Sequence, residues 1–299
     1  MIGNLIIGGV HKAGTTSLFS YLMDHPEICG STKKEIHHYT PLRYKGNTKS
    51  LDHYNSFFSH CPVNAKYMLD ASPSYLYGNE KIAERLFGEL ENPKILFVLR
   101  DPVKRFISYY KHCEGKFIIP RNTTFKEFYS KNLKNYKLQD IDDPFFRGLR
   151  EGIYIDYLRY WIANHKSNIK VLFFEDLIDR PKESLNTICE WINIEANFYE
   201  NYNFKVENKT SRYGNKYLHQ IGIFINGKFE YFFRINRTLK TFLKKWYSKI
   251  NVVQDIYIDD DTKDDLRIFY SQKNNELKDY LIENGYLDLP RWLTKKRIE

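Results

Sequence analysis

The chain has 299 residues, 42% of them hydrophobic and 16% aromatic, with only 15 Gly and 10 Pro, which excludes a low-complexity or disordered protein and suffices for one sizeable core. Its formal net charge is +9, and the window from Lys205 to Lys249 sets eleven Lys or Arg against Glu207 and Glu230, so that window alone carries the excess. No apolar run of about 18 residues and no leader-like segment is seen, and Cys29, Cys61, Cys113 and Cys189 are widely spaced with no C-x-x-C pair, so we expect a cytoplasmic protein with reduced thiols and no zinc site.

Leu5 to Val10 reads as a buried strand, and Thr15 to Met23 as a helix with Leu18, Phe19 and Leu22 inward. Tyr67 to Asp70 is a weaker strand, and Asn79 to Leu90 an amphipathic helix. The runs "KILFVL" (94–99) and "KVLFF" (170–174) read as fully buried strands, each followed by a helical pattern. Residues 147–165 form a long helical pattern with Tyr154, Tyr157, Leu158 and Trp161 on one face. Sheet signals fade beyond residue 200, where 232–247 alternates Phe232, Leu239, Phe242 and Trp246 with basic residues at helical spacing. A last helix spans about 262–284. The fold class is therefore α/β: a three-layer, P-loop-like arrangement with a central parallel sheet and a helical C-terminal third. We expect one domain over 1–299, with its core at about 4–195 and a basic region at about 200–299.

Two turns carry the chemistry. In "GVHKAGTTSL" (9–18) a strand runs through glycines into a helix, presenting backbone N–H groups and the positive end of a helix dipole to an anion. Gly9 and Gly14 keep the spacing of G-x-x-x-x-G-K-[ST], but Thr15 takes the lysine's place and the lysine sits at Lys12. In "KILFVLRDPVKRFISYY" (94–110), Arg100 follows a strand at the sheet edge where ligands bind, and Ser108 lies two turns into the next helix. An Arg100–Asp101 pair capping that helix is the structural alternative.

These two segments resemble the 5′-phosphosulfate loop and the 3′-phosphate motif of sulfotransferases that use 3′-phosphoadenosine 5′-phosphosulfate (PAPS). With "GIYIDYLRYW" (152–161) and "KVLFFEDLIDRP" (170–181), the resemblance covers roughly residues 4–195 and is nearest to the carbohydrate, heparan-sulfate-type branch and its bacterial relatives. It implies a PAPS donor, no required metal, and Lys12, Ala13, Gly14, Thr15, Thr16 and Ser17 around the 5′-phosphosulfate, with Arg100 and Ser108 on the 3′-phosphate. Lys209 and Arg212 in "NKTSRYGNK" (208–216) would contact the nucleotide or the acceptor.

By the same resemblance, Glu35 in "STKKEIHHYT" (31–40) is the general base, Lys12 stabilises the leaving phosphate, and His37 is the fallback base or an orienting partner. Lys33, Lys34 and Lys12 should favour ionised Glu35. In "DASPSYL" (70–76), Asp70, Ser72 and Tyr75 are acceptor contacts, while Ala71 stands where that branch has a lysine. The expected acceptor is a glycan or glycolipid, not nucleic acid, and the basic segment 205–249 is expected to meet a membrane surface or an acidic glycan. The rival reading is a P-loop kinase, favoured by the acidic end of "VLFFED" but lacking the lysine-hydroxyl pair. A non-enzymatic binder of nucleic acid or acidic glycan would explain the charge and leave both phosphate motifs unused.

Overall fold

Strand β1 (Leu5–Gly9) forms because five small or branched apolar residues follow one another, and every one of them is buried. On one side it pairs in parallel with β3 (Tyr67–Ala71), which pairs with β2 (Ile28–Gly30); on the other it pairs with β4 (Lys94–Leu99), which pairs with β5 (Ile169–Phe173). The order β2-β3-β1-β4-β5 makes an all-parallel five-stranded sheet. The chain leaves β1 to build one side and returns to build the other, so the carboxyl ends of β1 and β4 mark the switch point where such sheets bind ligands.

The structure, a computed structural model, describes residues 3–137, 143–204, 212, 213, 215–229, 232, 233, 236, 239, 243, 252, 253 and 256–294. The helices are α1 (Thr15–Met23), α2 (Thr40–Arg43), α3 (Leu51–Asn55), α4 (Asn79–Glu89), α5 (Pro102–Gly115), α6 (Phe125–Asn135), α7 (Pro144–Arg147) and α8 (Ile155–His165). They continue with α9 (Phe174–Asp179), α10 (Pro181–Ile192), α11 (Lys216–Lys228), α12 (Asp260–Glu283) and α13 (Arg291–Thr294).

The chain divides into two compact units, Met1–Arg105 with Glu151–Asn208 and Asp265–Glu299, and Phe106–Arg150 with Lys209–Asp264. The first contains the sheet. Its core is the strands themselves, with Leu18, Phe19 and Leu22 of α1, Leu185 and Ile188 of α10, and Trp161 of α8, whose indole donates to the Leu76 carbonyl at 3.2 Å and sits edge-on to Phe97. A buried ion pair joins Arg43 to Glu151 at 2.8 Å. In the second unit, Phe106, Tyr110, Phe125 and Phe128 cluster, and Arg212–Tyr213 pairs antiparallel with Val252–Val253.

The pattern over 147–165 is not one helix. It breaks at 148–154 into a 3-10 turn, because Gly152 packs so tightly on the Tyr270 ring that an added Cβ would meet the phenol oxygen at 2.6 Å. Most of the expected helix over 232–247 lies outside the described residues. The thiol expectation is corrected as well. Cys29 and Cys61 form a disulfide, since the end of β2 and the turn after α3 bring their Cα atoms to 5.8 Å; Cys113 and Cys189 are free and buried. Among the described residues the one group of three metal-type ligands is Cys29, His60 and Cys61, and two of its sulfurs are bonded to each other.

The disulfide spans a sequence separation of 32 residues and ties down the open edge strand β2. Closing such a loop in the unfolded chain predicts a loss of roughly 3–4 kcal/mol on reduction or in Cys61→Ser. Urea unfolding with and without reductant measures it, and coincident curves would show that the bond does not constrain the unfolded chain.

Candidate active site

The β1–α1 loop is closed by its own backbone. Val10 N–H donates to Val98 O at 3.0 Å, and Ala13 N–H donates to Val10 O at 3.3 Å. Ala13 is therefore corrected as a donor to phosphate: its N–H closes the turn. Gly14 follows at φ 78, with no side-chain hydrogen bond capping α1. Only glycine suits that position, since it lies in the left-handed region and a Cβ would meet the Phe174 ring at 2.9 Å. Gly14 thus offers the first turn of α1 no side-chain acceptor of its own, at the positive end of a nine-residue helix. Thr15 and Ser17 are buried, whereas Lys12 and Thr16 are half-exposed.

Arg100 leaves β4 at the switch point. Its Nη1 donates to the Lys12 carbonyl at 2.8 Å, and its guanidinium lies over Phe174, 4.3 Å from the ring centroid. Tyr154 Oη donates to Arg100 O at 2.8 Å, fixing the backbone there. Among the described residues Arg100 Nε is buried and has no hydrogen-bond partner, which leaves a donor for an anion. Asp101 caps α5 through Val103 N at 2.9 Å, and its own N–H donates to Glu175, which also accepts from the Trp292 indole. The capping half of the structural alternative is thus realised by Asp101, while Arg100 turns to the loop. Ser108 is half-buried on α5 in the second unit. Lys209 lies outside the described residues, and Arg212 contributes backbone to β6 (Arg212–Tyr213).

The segment after β2 carries the other chemistry. Glu35 N–H donates to Ala71 O at 3.0 Å, at the carboxyl end of β3. Glu35 Oε1 meets Lys34 Nζ at 2.7 Å and Oε2 lies 3.5 Å from His37 Nε2; the Glu35 and His37 side chains are each 40% exposed. Burial works to raise the Glu35 pKa, but Lys34, the His37 hydrogen bond and the nearby charge of His11 outweigh it and hold the carboxyl far below the usual range. His37 Nδ1 is within hydrogen-bond reach of Thr40 Oγ1 at 3.2 Å and Ser74 Oγ at 3.3 Å. Lys12, Glu35 and His37 all have positive φ, at 70, 63 and 57. Such backbone is uncommon off glycine and gathers where function over-determines the fold.

Asp70, Ser72 and Tyr75, expected to contact the acceptor, are each 0% exposed, so the structure corrects that role. They face inward because their polar atoms satisfy one another: Ser72 Oγ and Tyr75 Oη donate to Asp70 at 2.9 and 3.0 Å, and Tyr54 Oη at 3.4 Å. Ser72 Oγ in turn accepts from His37 N at 3.0 Å. The network is the floor beneath the Glu35 segment. Sequence reasoning also missed His11, Thr40, Ser74, Tyr154 and Phe174. All five lay inside the quoted segments; what the sequence did not show is the contacts that the tertiary fold gives them.

A family model described as a sulfotransferase domain matches residues 3–263. The chain belongs to the sulfotransferase domain family. Among relatives of this family, the membrane-associated sulfotransferase kil1 of Dictyostelium discoideum is 38% identical over 107 residues, covering 36% of this chain and 22% of that protein. Human heparan sulfate glucosamine 3-O-sulfotransferase 3B1 is 27% identical over 191 residues, 63% of this chain and 45% of the relative. Human bifunctional heparan sulfate N-deacetylase/N-sulfotransferase 2 is 26% identical over 199 residues, 63% and 22%. The chain thus spans less than half the length of these relatives. The crystal structure of a sulfotransferase from Alicyclobacillus acidocaldarius shares the fold, at a TM-score of 0.58 and 22% identity over 79% of this chain and 96% of that one. The five-stranded parallel sheet of this sulfotransferase domain is thereby the family's fold.

Within the domain, burial raises the Asp70 pKa from 3.8 to about 6, against the hydrogen bonds of Ser72 and Tyr75 that lower it. A raised folded-state value means stability that is full below about pH 4 and is lost as pH rises through about 6, by about 3 kcal/mol in all. Asp70→Asn cannot ionise and should flatten this slope. Denaturant unfolding between these two pH values tests it, and equal slopes in both proteins would place the titration elsewhere.

Proposed function

We propose that the chain is a sulfotransferase that takes PAPS as donor and passes its sulfuryl group to a hydroxyl, or an amine, of a carbohydrate or glycoconjugate. The observation that carries the reading is the start of α1 at Gly14, without a side-chain cap from that residue, set beside Arg100, whose buried Nε has no partner among the described residues: one oxyanion site is supplied from two elements. The family match and the heparan-sulfate-modifying relatives support the reaction class and the glycan preference. The bound donor supplies an electrophilic sulfuryl group on a phosphate leaving group. Gly14 to Ser17 would hold the 5′-phosphosulfate by backbone N–H groups, with Thr16 adding a half-exposed hydroxyl. Arg100 would hold the 3′-phosphate; contacts from Ser108, Lys209 and Arg212 rest on the family resemblance alone.

Lys12 would neutralise the phosphate oxygen as the S–O bond to it breaks. The acceptor oxygen forms the new S–O bond and releases its proton to Glu35, whose Oε2 is clear of the Lys34 contact made by Oε1. A carboxylate so strongly stabilised is a weak base in isolation. Anionic donor beside Lys34 would draw its ammonium away from Glu35 and raise the basicity of that carboxylate, coupling base strength to donor binding. His37, oriented by Thr40 and Ser74, holds Glu35 in place. No metal is required. The acidic residues after β5 that suggested a kinase are committed elsewhere, Glu175 to Asp101 N–H and Trp292, and Asp176 to Arg180 at 2.7 Å.

Calorimetric titration of adenosine 3′,5′-bisphosphate in EDTA is the direct test. The wild type should bind and Arg100→Ala should bind at least about tenfold more weakly. ATP binding that needs Mg²⁺, with none of the bisphosphate, would overturn the reading in favour of a kinase. Glu35→Gln should keep bisphosphate affinity within about threefold while lowering turnover on a glycan acceptor by about a hundredfold or more. Unchanged turnover in that variant would remove Glu35 from the proton transfer.

A further inference from the structure

A helix that packs against its own protein turns its apolar face inward. Helix α11 does the reverse. Its exposed residues include Tyr217 at 76%, Leu218 at 41%, Ile221 at 56%, Phe224 at 70%, Ile225 at 44% and, one position past the helix, Phe229 at 48%. At about 100° per residue these fall within an arc of about 140°. Phe229, the C-cap of α11, donates its N–H to Ile225 O at 3.0 Å and so stays on the helical path. Lys228 lies within the same arc, and its long stem can lie along apolar neighbours while the ammonium reaches outward. The face belongs to the window 205–249, where eleven Lys or Arg stand against two Glu.

We infer that this face docks on an anionic lipid bilayer, lying in the plane of the interface. Two requirements must be met together, cover for a contiguous apolar stripe and compensation of a dense positive charge. A second copy of the chain would cover the stripe but set two strongly basic windows against each other. An acidic glycan would answer the charge and leave Phe224 and Ile221 in water. A bilayer with anionic headgroups meets both: the apolar side chains enter the boundary of the acyl region while Lys228 reaches the headgroups, and the net charge of the window, read from the sequence, draws the chain to the anionic surface. No described helix is long and apolar enough to cross a membrane. The apolar face itself, Tyr217 to Phe229, contains none of the residues assigned to the donor, so the inference stands apart from the reaction proposed above.

The test is flotation of the full chain with vesicles of phosphatidylcholine, with and without phosphatidylserine. The chain should float with the anionic vesicles, detach as salt is raised, and ignore the neutral ones. The double variant Ile221→Ser, Phe224→Ser should lose at least about tenfold in partition, with its circular dichroism and bisphosphate titration unchanged. Tyr217→Ser, on the same face, gives an independent variant if the double one misfolds. Equal flotation of wild type and variants would overturn the inference. So would absence of flotation with salt-sensitive retention on heparin, which assigns the segment to acidic glycan, or with a dimer in sedimentation that the variants dissociate.

Discussion

The hydrogen bond from the Arg100 guanidinium to the Lys12 carbonyl joins the two halves of the candidate active site. It ties the loop after β1 to the end of β4 across the switch point of the sheet. The loop bends sharply there, with Lys12 and Gly14 both at positive φ and Gly14 giving α1 no side-chain cap. Arg100 is placed in turn by Phe174 beneath its plane and by Tyr154 on its backbone. Donation to a carbonyl leaves the guanidinium charge intact, so one side chain can both shape the loop and remain attractive to an anion.

Beside this clamp lies a second constraint of a different kind, a carboxyl group shut inside. Asp70 is surrounded by three hydroxyls, one of which also receives the His37 N–H. A buried acceptor with every bond made is directional and rigid, and it fixes the Glu35 segment at a height set by the end of β3. The polar residues that matter for positioning are here beneath the site, and those that matter for chemistry stand on them.

Much of this was legible from residue order. The strands at 94–99 and 5–9 and the helix at 15–23 declare themselves, since fully buried parallel strands read as unbroken apolar runs and a glycine turn punctuates them. The loop and Arg100 were legible for the same reason: each belongs to a run of contiguous residues. What was hidden depended on pairing across the fold. Cys29 and Cys61 have no spacing signature, and only the register of β2 against β3 brings the first toward the second. Asp70, Ser72 and Tyr75 look like surface chemistry in one dimension, and nothing local shows that Tyr54 will close over them. The orienting roles of Thr40 and Ser74 are equally non-local. The apolar face of α11 was concealed because period alone marks an amphipathic helix without saying which face meets solvent.

The first unit is discontinuous, and its last piece does more than add mass. Tyr286 Oη accepts from Val171 N–H on the outer edge of β5, Asp288 pairs with Arg180, and Trp292 donates to the Glu175 that receives Asp101 N–H. During synthesis all five strands emerge from the ribosome long before these residues do. The nascent sheet must therefore wait with an open edge and with Glu175 lacking its Trp292 partner, a state open to pairing with another chain. The order of translation makes the C-terminal segment a latch, so that the surroundings of Arg100 are completed last.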